Sequence, residues 1–309
     1  MSGRDGEFTV ASDAETVAPR LAPVRPMYWS IRRELWASRW LYLAPTAAAA
    51  VFLCGFLVKL VGLPGDLRAL PALDAAYQHG AIASPYHMAA SFLMLVAMVA
   101  GGFYCVGALH DERHDRSILF WRSLPVSDRT AVLAKASVAI VFMPLMVFAI
   151  ALVLQLIMLL ASAAVLWANG MSAETLWTQV SFPRMTLVLL YHMLAIHALS
   201  HAPLYAWLLF VSAWARRAVF VWATLPPFAI GALERMIFGT SDFMGMLGNR
   251  LSGGGTEAFT PPGVMPMDPM AHPTLGVFLL SPGLWIGLAV TGVFLAVSIR
   301  LRHHRGPIR

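Results

Sequence analysis

Residues 111–135, DERHDRSILFWRSLPVSDRTAVLAK, form a charged and aromatic segment between two long apolar runs of the chain. Four arginines and one lysine lie in it, and Phe120, Trp121 and Leu124 lie between those charges. A loop that only joins two helices needs a few residues. Aromatic side chains rimmed by arginine are typical of a contact surface. We therefore predict that this segment binds a partner.

The composition of the chain is that of a protein embedded in a lipid bilayer. Hydrophobic residues make up 59% of it and charged residues 12%, with a mean hydropathy of +0.68. Soluble domains carry about 25% charged residues, so this chain cannot solvate the surface of an ordinary globular fold. A net charge of +6 would suggest a nucleic-acid partner for a soluble protein, but in a membrane protein the positions of the arginines set orientation. We expect contact with membrane lipid and no nucleic-acid partner.

Six apolar runs are long enough to cross about 30 Å of hydrocarbon. They cover residues 41–63, 89–110, 136–168, 187–213, 218–238 and 275–300. Six crossings place both termini on one side of the membrane. Basic residues are concentrated before the first run, in 111–135, at Arg216 and Arg217, and after the last run. Because cytoplasmic loops carry the excess of Arg and Lys, we predict an all-α, polytopic, six-span protein with both termini in the cytoplasm.

Further segments flank the predicted spans. Residues 1–25 are polar and lack the order of a signal peptide, so we expect a disordered cytoplasmic N-terminus. Residues 26–40 combine tryptophans with arginines, which is typical of a helix lying in the membrane interface. Residues 239–274 are rich in Gly, Pro and Met and predict an irregular extracytoplasmic loop. The transmembrane domain is therefore expected over 26–305, followed by a cytoplasmic tail at 306–309.

Prolines interrupt several of the runs, because proline removes a backbone donor and its ring clashes with the preceding turn. They predict kinks at Pro144, at Pro203 and at the pair Pro226-Pro227. The last run is different, since Ser-Pro-Gly at 281–283 divides it into a short piece and a spanning piece. A broken or re-entrant entry is expected there, with protein covering the freed backbone groups.

Nucleotide-binding machinery is absent from the sequence. No Walker A pattern (G-x-x-x-x-G-K-[ST]) occurs, and Gly101, Gly102 and Gly107 lie in an apolar run without the required lysine. We expect no catalytic residue, no metal and no cofactor on this chain. If its work is driven, the energy comes from another subunit or from an ion gradient.

Three histidines lie in the fourth apolar run. His197 and His201 are spaced i,i+4 and share a helix face, whereas His192 lies well round the helix from His201. Ionisable groups at membrane depth are commonly functional, so His197 and His201 are candidates for the polar lining of a transport path. A hydrogen-bonded interior position and a metal site are the alternatives, although no carboxylate in the run completes a zinc site.

The exterior end of the fifth run and the loop after it hold two further groups. Glu234 and Arg235 predict a local ion pair or an interfacial anchor. The second group is a set of methionines with one histidine: Met244, Met246, Met265, Met267, Met270 and His272. Thioether ligands suit Cu(I), but methionine also fills irregular apolar structure, and both interpretations stay open.

Within residues 111–135 the pattern predicts a short helix, a turn and a long helix. Leu124-Pro125 ends any helix that begins near Arg116, and Ser127 or Asp128 is placed to cap the next one. That second helix runs into the third apolar run. A partner that docks on the short helix could therefore tilt the long one.

The order ERHDRSILFWRSLPVSD followed by TAVLAK, directly after the second of six runs, resembles the ABC-2 type permease family, the membrane subunits of ATP-binding-cassette transporters. The closing run, SPGLWIGLAVTGVFLAVSIRLRHHR, is similar to the last helix of that family. The resemblance implies a permease, in many cases an exporter, in the bacterial inner membrane. It also implies a dimer with a second copy or a paralogue, and a separate ABC ATPase that binds ATP and Mg²⁺.

The same resemblance implies that the loop after the second run is a coupling helix that fits a groove on the ATPase. The residues that map to this surface are Glu112, Arg113, Arg116, Ser117, Phe120, Trp121, Arg122, Ser123, Leu124 and Pro125. Many relatives carry Gly at the position of Arg116, so the chain departs from the family there.

Two rival functions come from other classes. One is an intramembrane metal-handling protein or enzyme built on His197, His201 and the exterior methionines, which requires a further ligand near the two histidines. The other is a non-transporting membrane scaffold that anchors or senses through the aromatic segment at 111–135.

Overall fold

The computed structural model describes residues 26–65, 75–123, 126–251 and 275–306, and every regular element within these ranges is a helix. The first half contains α1 (Pro26–Ala37), α2 (Trp40–Leu60), α3 (Ala75–Ala108), α4 (His110–His114), α5 (Ser117–Ser123), α6 (Asp128–Ser137), a π-helical segment (Val138–Phe142) and α7 (Met143–Ala168). The second half contains α8 (Glu174–Gln179), α9 (Phe182–Tyr191), a π-helical segment (His192–Ser200), α10 (His201–Trp214), α11 (Val219–Phe238), α12 (Asp242–Leu251), α13 (Leu275–Leu280) and α14 (Pro282–His304).

Within the described ranges, five helices are long and apolar enough to cross a membrane. They are Trp40–Leu60, Ile82–His114, Asp128–Ala168, Phe182–Trp214 and Pro282–His304. These five correspond to five of the six predicted spans. The remaining prediction, at 218–238, falls on α11, which has 20 residues but includes two prolines and the charged pair Glu234 and Arg235. The all-helical class and the membrane-length helices are confirmed, whereas the count of six and the topology stay predictions.

The two π-helical segments lie just before prolines of the membrane-length helices. Pro144 follows Val138–Phe142, and Pro203 follows His192–Ser200. A proline ring clashes with the carbonyl group four residues earlier, and those carbonyls belong to Ile140 and Leu199 inside the π-helical segments. The wider turn therefore absorbs the clash while the helix continues.

Close approach of small residues sets the packing of the long helices. Helix α10 packs most extensively on α14 and α3, while α7 packs on α2 and α3. A Cβ atom on Gly101 of α3 would lie 3.0 Å from the hydroxyl oxygen of Tyr205 on α10. Glycine at this position therefore lets α3 and α10 meet over a large aromatic side chain.

The helix predicted at 26–40 is present as α1, which ends at Ala37 and packs on α6, while its place in the membrane interface stays a prediction. The Arg32 guanidinium carbon lies 5.3 Å from the ring centroid of Trp29 and 4.7 Å from that of Trp36. Both tryptophans are more than half exposed. This arrangement of exposed aromatic rings and an arginine suits a helix at headgroup depth. The polar segment at 1–25 lies outside the described residues.

The loop predicted to be irregular at 239–274 contains a helix, α12, over its first part. The expectation was wrong there because Glu234, at the end of α11, caps the new helix. Its carboxylate accepts hydrogen bonds from the backbone N–H of Asp242 at 2.8 Å and of Phe243 at 3.0 Å. Residues 252–274, which include Met265, Met267, Met270 and His272, lie outside the described residues.

The break predicted at 281–283 is confirmed. Helix α13 ends at Leu280, Ser281 is extended with φ −68° and ψ 123°, and α14 begins at Pro282. Arg250 of α12 donates to the carbonyl oxygen of Gly283 at 2.5 Å. Trp285 Nε1 donates to the carbonyl oxygen of Leu279 at 2.9 Å, so a protein group also pairs with a carbonyl that is freed where α13 ends.

Candidate functional site

The segment after the second membrane-length helix folds as the sequence predicts, into a short helix followed by a long one. The carboxylate of Asp115 accepts the backbone N–H of Ser117 at 2.9 Å, at the start of α5. Ser127 is the N-cap of α6, and its hydroxyl accepts the backbone N–H of Thr130 at 3.1 Å. Between these caps lie Leu124 and Pro125, which are outside the described residues.

Helix α5 presents one apolar face to the protein and another to its surroundings. Ile118 is buried at 1% exposure, whereas Leu119 and Phe120 are exposed at 55% and 60%. The ring of Trp121 is half-buried and meets Phe120 edge to face at 4.9 Å. An exposed apolar pair on a helix anchored by a buried residue is available for a partner.

Helix α5 is joined to α1 by an aromatic–cation contact. The Arg33 guanidinium carbon lies 3.8 Å from the centroid of the Trp121 ring. Guanidinium groups stack on indole rings through the ring quadrupole, which contributes about 0.5–2 kcal/mol. Because Arg33 also reaches Glu112, the contact links the short helix to the interior.

The interior beneath α5 is an ionic cluster, which we define as Arg33, Glu34, Glu112, Asp128, Lys135 and Arg302. Lys135 donates to Glu34 at 2.9 Å and lies 3.0 Å from Glu112, and Arg33 donates to Glu112 at 3.0 Å. Arg33 also pairs with Glu34, and Arg302 with Glu112. The cluster draws these side chains from α1, α4, α6 and α14.

The cluster continues to the surface through Asp128. Arg302 Nε donates to Asp128 Oδ1 at 3.1 Å, and His303 Nδ1 lies 3.2 Å from Oδ2. The sequence offered Ser127 or Asp128 as the helix cap. Ser127 is the cap, and the Asp128 carboxylate instead contacts Arg302 and His303 of α14.

Charge is balanced within the ionic cluster. Three carboxylates face three basic side chains, and Tyr104 adds a hydrogen bond to Glu34 at 3.0 Å. Burial would raise the pKa of Glu34, but the charges of Lys135 and Arg33 and their hydrogen bonds outweigh it and hold that pKa below its ordinary value. The carboxylate of Glu34 is therefore ionised at neutral pH.

Glu112 and Arg113, which the resemblance assigns to the ATPase-coupling surface, are both buried. Arg113 donates to the carbonyl oxygens of Ala213 and, at 3.1 Å, of Ala215, at the C-terminal end of α10. Arginine there satisfies carbonyls that no helical N–H reaches. In this arrangement the two side chains hold elements together rather than face a partner.

The other mapped residues lie at or near the surface. Arg116 is exposed and has φ 63°, in the left-handed region that glycine favours. Ser117 is half-buried, and the hydroxyl of exposed Ser123 donates to the Phe120 carbonyl at 2.7 Å. Arg122 lies in α5, and its side chain is not among those described. Of the mapped residues, Phe120 is the exposed apolar one, and Leu119, which the resemblance did not include, is exposed beside it. The coupling role of this surface stays a prediction.

Most of the ionic cluster was not predicted as a site from the sequence. In the sequence, Lys135 is one of the basic residues of 111–135, and Arg302 is one of those that follow the last apolar run. The available indication was a charged residue beside apolar ones, as with Glu34 in the helix PMYWSIRRELWA. No pattern in the chain indicates that four separated helices place their charges together.

The histidines of the fourth membrane-length helix are enclosed by protein. His197 and His201 are 0% and 1% exposed, with ring centroids 4.5 Å apart, as their spacing predicts. His201 Nδ1 lies 2.8 Å from the His197 carbonyl oxygen, and His197 Nε2 lies 3.3 Å from the hydroxyl of Tyr205. This geometry matches the hydrogen-bonded interior alternative. Their role in lining a path stays a prediction.

Among the described residues, no group of three His, Cys, Asp or Glu side chains is placed to hold a metal ion. A Cβ atom on Gly231 would lie 2.6 Å from the Met244 side chain, so Met244 packs α12 against α11. Met246 is 50% exposed. The contacts of Met244 therefore favour apolar packing over copper binding for this methionine.

No protein-family model, no curated protein and no solved structure matches this chain.

Proposed function

We propose that this chain is the transmembrane permease subunit of a bacterial ABC-2 type transporter, an exporter driven by a separate ABC ATPase. The observation that carries the proposal is the exposed apolar pair Leu119 and Phe120 on α5, between two membrane-length helices. A membrane subunit without a Walker A pattern needs such a surface to receive work from a partner. ATP and Mg²⁺ would be bound by the partner.

The contacts beneath α5 could transmit a displacement of this helix to α14. A push on Phe120 moves Trp121, whose ring stacks on Arg33. Arg33 pairs with Glu112, and Glu112 pairs with Arg302 at the end of α14. Because a buried ion pair tolerates little separation, a shift of α5 is passed to the last membrane-length helix. Closure of the ATPase pair would thereby switch the permease dimer between two arrangements.

Sidedness follows from the same proposal. The ionic cluster, Arg113 and Arg305 all lie where α1, α5 and α14 meet the end of α10. In the proposal this end is cytoplasmic, α11 is the fifth of six crossings and α12 lies outside the membrane. The basic residues at the cluster end agree with the excess expected of cytoplasmic segments.

The test is whether an ATPase binds through Phe120. The full chain is purified from native membranes in mild detergent, and Mg²⁺-dependent ATP hydrolysis is measured in the eluate. Phe120→Ser should reduce the co-eluting activity at least tenfold, because polar replacement removes an exposed apolar anchor. Phe238→Ser is the matched control, since Phe238 is 74% exposed and lies at the far end of α11.

Two results would overturn the proposal. One is a folded, monodisperse chain that elutes without any ATPase. The other is equal loss of activity in both variants, which would show that the effect does not belong to α5.

A further inference from the structure

A basic cavity lies between the start of α6 and the end of α14. Its volume is about 690 Å³, and its lining includes Arg129, Arg300, His303 and His304. Asp128 is the first residue of one membrane-length helix and His304 the last residue of another. The cavity therefore lies where two such helices end. The 23 residues of α14 are close to the number that crosses the hydrocarbon core, so in a membrane the end of α14 would reach headgroup depth.

The two arginines of this cavity are not neutralised by the protein. Within the described residues, neither Arg129 nor Arg300 forms an ion pair with a carboxylate, and both are exposed. Asp128 is the acidic residue of the lining, and Arg302 and His303 already engage its two oxygens. An anion that enters the cavity thus meets two guanidinium groups and a carboxylate whose charge is compensated.

Next to each arginine, toward the middle of its membrane-length helix, the protein surface is apolar. Leu133, one helical turn from Arg129, is 42% exposed. Val293 and Ala296 precede Arg300 by seven and four residues, share its helix face and are exposed. Val293 is 61% exposed and lies about 10 Å below Arg300 along α14. A basic rim above two apolar strips complements a molecule with an anionic head and hydrocarbon chains.

We propose that this cavity binds the headgroup of an anionic phospholipid, with the phosphate between Arg129 and Arg300 and the acyl chains along Leu133 and Val293. The proposal requires only that these helices lie in a membrane, so it does not depend on an ATPase partner. Basic pockets between membrane helices bind such headgroups through charge, and the apolar strips add hydrophobic contact.

The experiment titrates the delipidated full-length chain in mild detergent with phosphatidylglycerol or phosphatidylcholine and counts bound lipids by native mass spectrometry. Phosphatidylglycerol should bind at lower concentration than phosphatidylcholine. The double variant Arg129→Gln/Arg300→Gln should weaken phosphatidylglycerol binding about 30-fold, and each single variant about fivefold. If the double variant does not fold, the single variants still carry the test.

The matched control is Arg216→Gln/Arg217→Gln, which removes two exposed arginines from the turn between α10 and α11. Its binding should remain within about twofold of the unchanged chain. Equal loss in both double variants would show general electrostatic attraction and overturn the site. Unchanged binding in Arg129→Gln/Arg300→Gln would overturn it as well.

A second arm separates a lipid from a free phosphate group. Inorganic phosphate and glycerol 3-phosphate are added at millimolar concentration during the phosphatidylglycerol titration. The proposal expects no displacement of bound lipid, because the acyl chains contribute to binding. Displacement by either small anion would show that the cavity recognises phosphate alone, and the lipid assignment would be wrong.

Discussion

At the scale of single residues, the most informative one is Arg116. It is one of two non-glycine residues with positive φ in the described ranges, the other being Ala218. The resemblance to the ABC-2 permeases departs at the same position, where many members of that family carry Gly. The left-handed backbone supplies a physical reason for that glycine, since a Cβ atom costs about 1–2 kcal/mol in this conformation.

Replacing Arg116 by Gly should therefore stabilise the protein. We expect the free energy of unfolding to rise by about 1 kcal/mol, measured as a higher thermal midpoint in detergent. Arg39→Gly is the control, because Arg39 has φ −57° and glycine gains nothing in that region. A lower midpoint for Arg116→Gly than for the unchanged chain would contradict this explanation.

For the ionic cluster we predict that a substitution lowers the free energy of unfolding. Lys135 is 2% exposed and lies against two carboxylates, so Lys135→Met leaves Glu34 and Glu112 with less compensation. Breaking a buried pair in this way costs about 3–5 kcal/mol. Unfolding in denaturant should show a loss of that size, whereas Lys59→Met, at an exposed lysine of α2, should change stability by less than about 0.5 kcal/mol.

Acid should destabilise the protein partly through Glu34. Its pKa is held below the ordinary value of 4.5, so the unfolded chain binds a proton more readily than the folded one. The stabilisation is present above pH 4.5 and is lost as the pH falls through the lower, folded pKa. Thermal midpoints measured from pH 6 to pH 3 should fall less steeply for Glu34→Gln than for the unchanged chain. Parallel curves would show that Glu34 does not titrate as stated.

At the scale of elements, sequence reasoning succeeded where the determinants are local. The Ser127 cap, the short helix before it and the break at Ser281 were all predicted from residues within a few positions of each feature. Helix α12 was missed, because its N-terminus is capped by Glu234 from the preceding helix. The glycine-rich composition of that stretch indicates a loop, and only the tertiary cap makes the helix favourable.

Removing this cap should loosen α12 without unfolding the rest. Glu234→Ala leaves the N–H groups of Asp242 and Phe243 without their acceptor. Hydrogen exchange in the first turn of α12 should then quicken about fivefold, while exchange in α3 stays unchanged. Glu234→Gln keeps one acceptor oxygen and should give an intermediate rate. Unchanged exchange in α12 for Glu234→Ala would show that the cap does not hold the helix.

At the scale of the whole molecule, composition was sufficient to predict an all-helical chain with membrane-length helices. The fifth predicted crossing, at 218–238, stays a prediction, because Pro226, Pro227, Glu234 and Arg235 lower the apolarity of α11. Composition gave no indication of the ionic cluster, whose members lie up to about 270 residues apart and meet only after the helices pack. The short aromatic helix α5 was predicted, whereas the side-chain contacts that lead from Trp121 through Arg33 and Glu112 to α14 required the structure.

The central claim is that Phe120 touches an ATPase in the native membrane. The most direct measurement replaces Phe120 with a photoreactive phenylalanine, irradiates native membranes and identifies crosslinked chains by mass spectrometry. A second variant of the chain carries the same photoreactive residue in place of Phe238. The account predicts a crosslink from position 120, and none from position 238, to a polypeptide with a Walker A motif. A protein that yields only lipid adducts at both positions would contradict it.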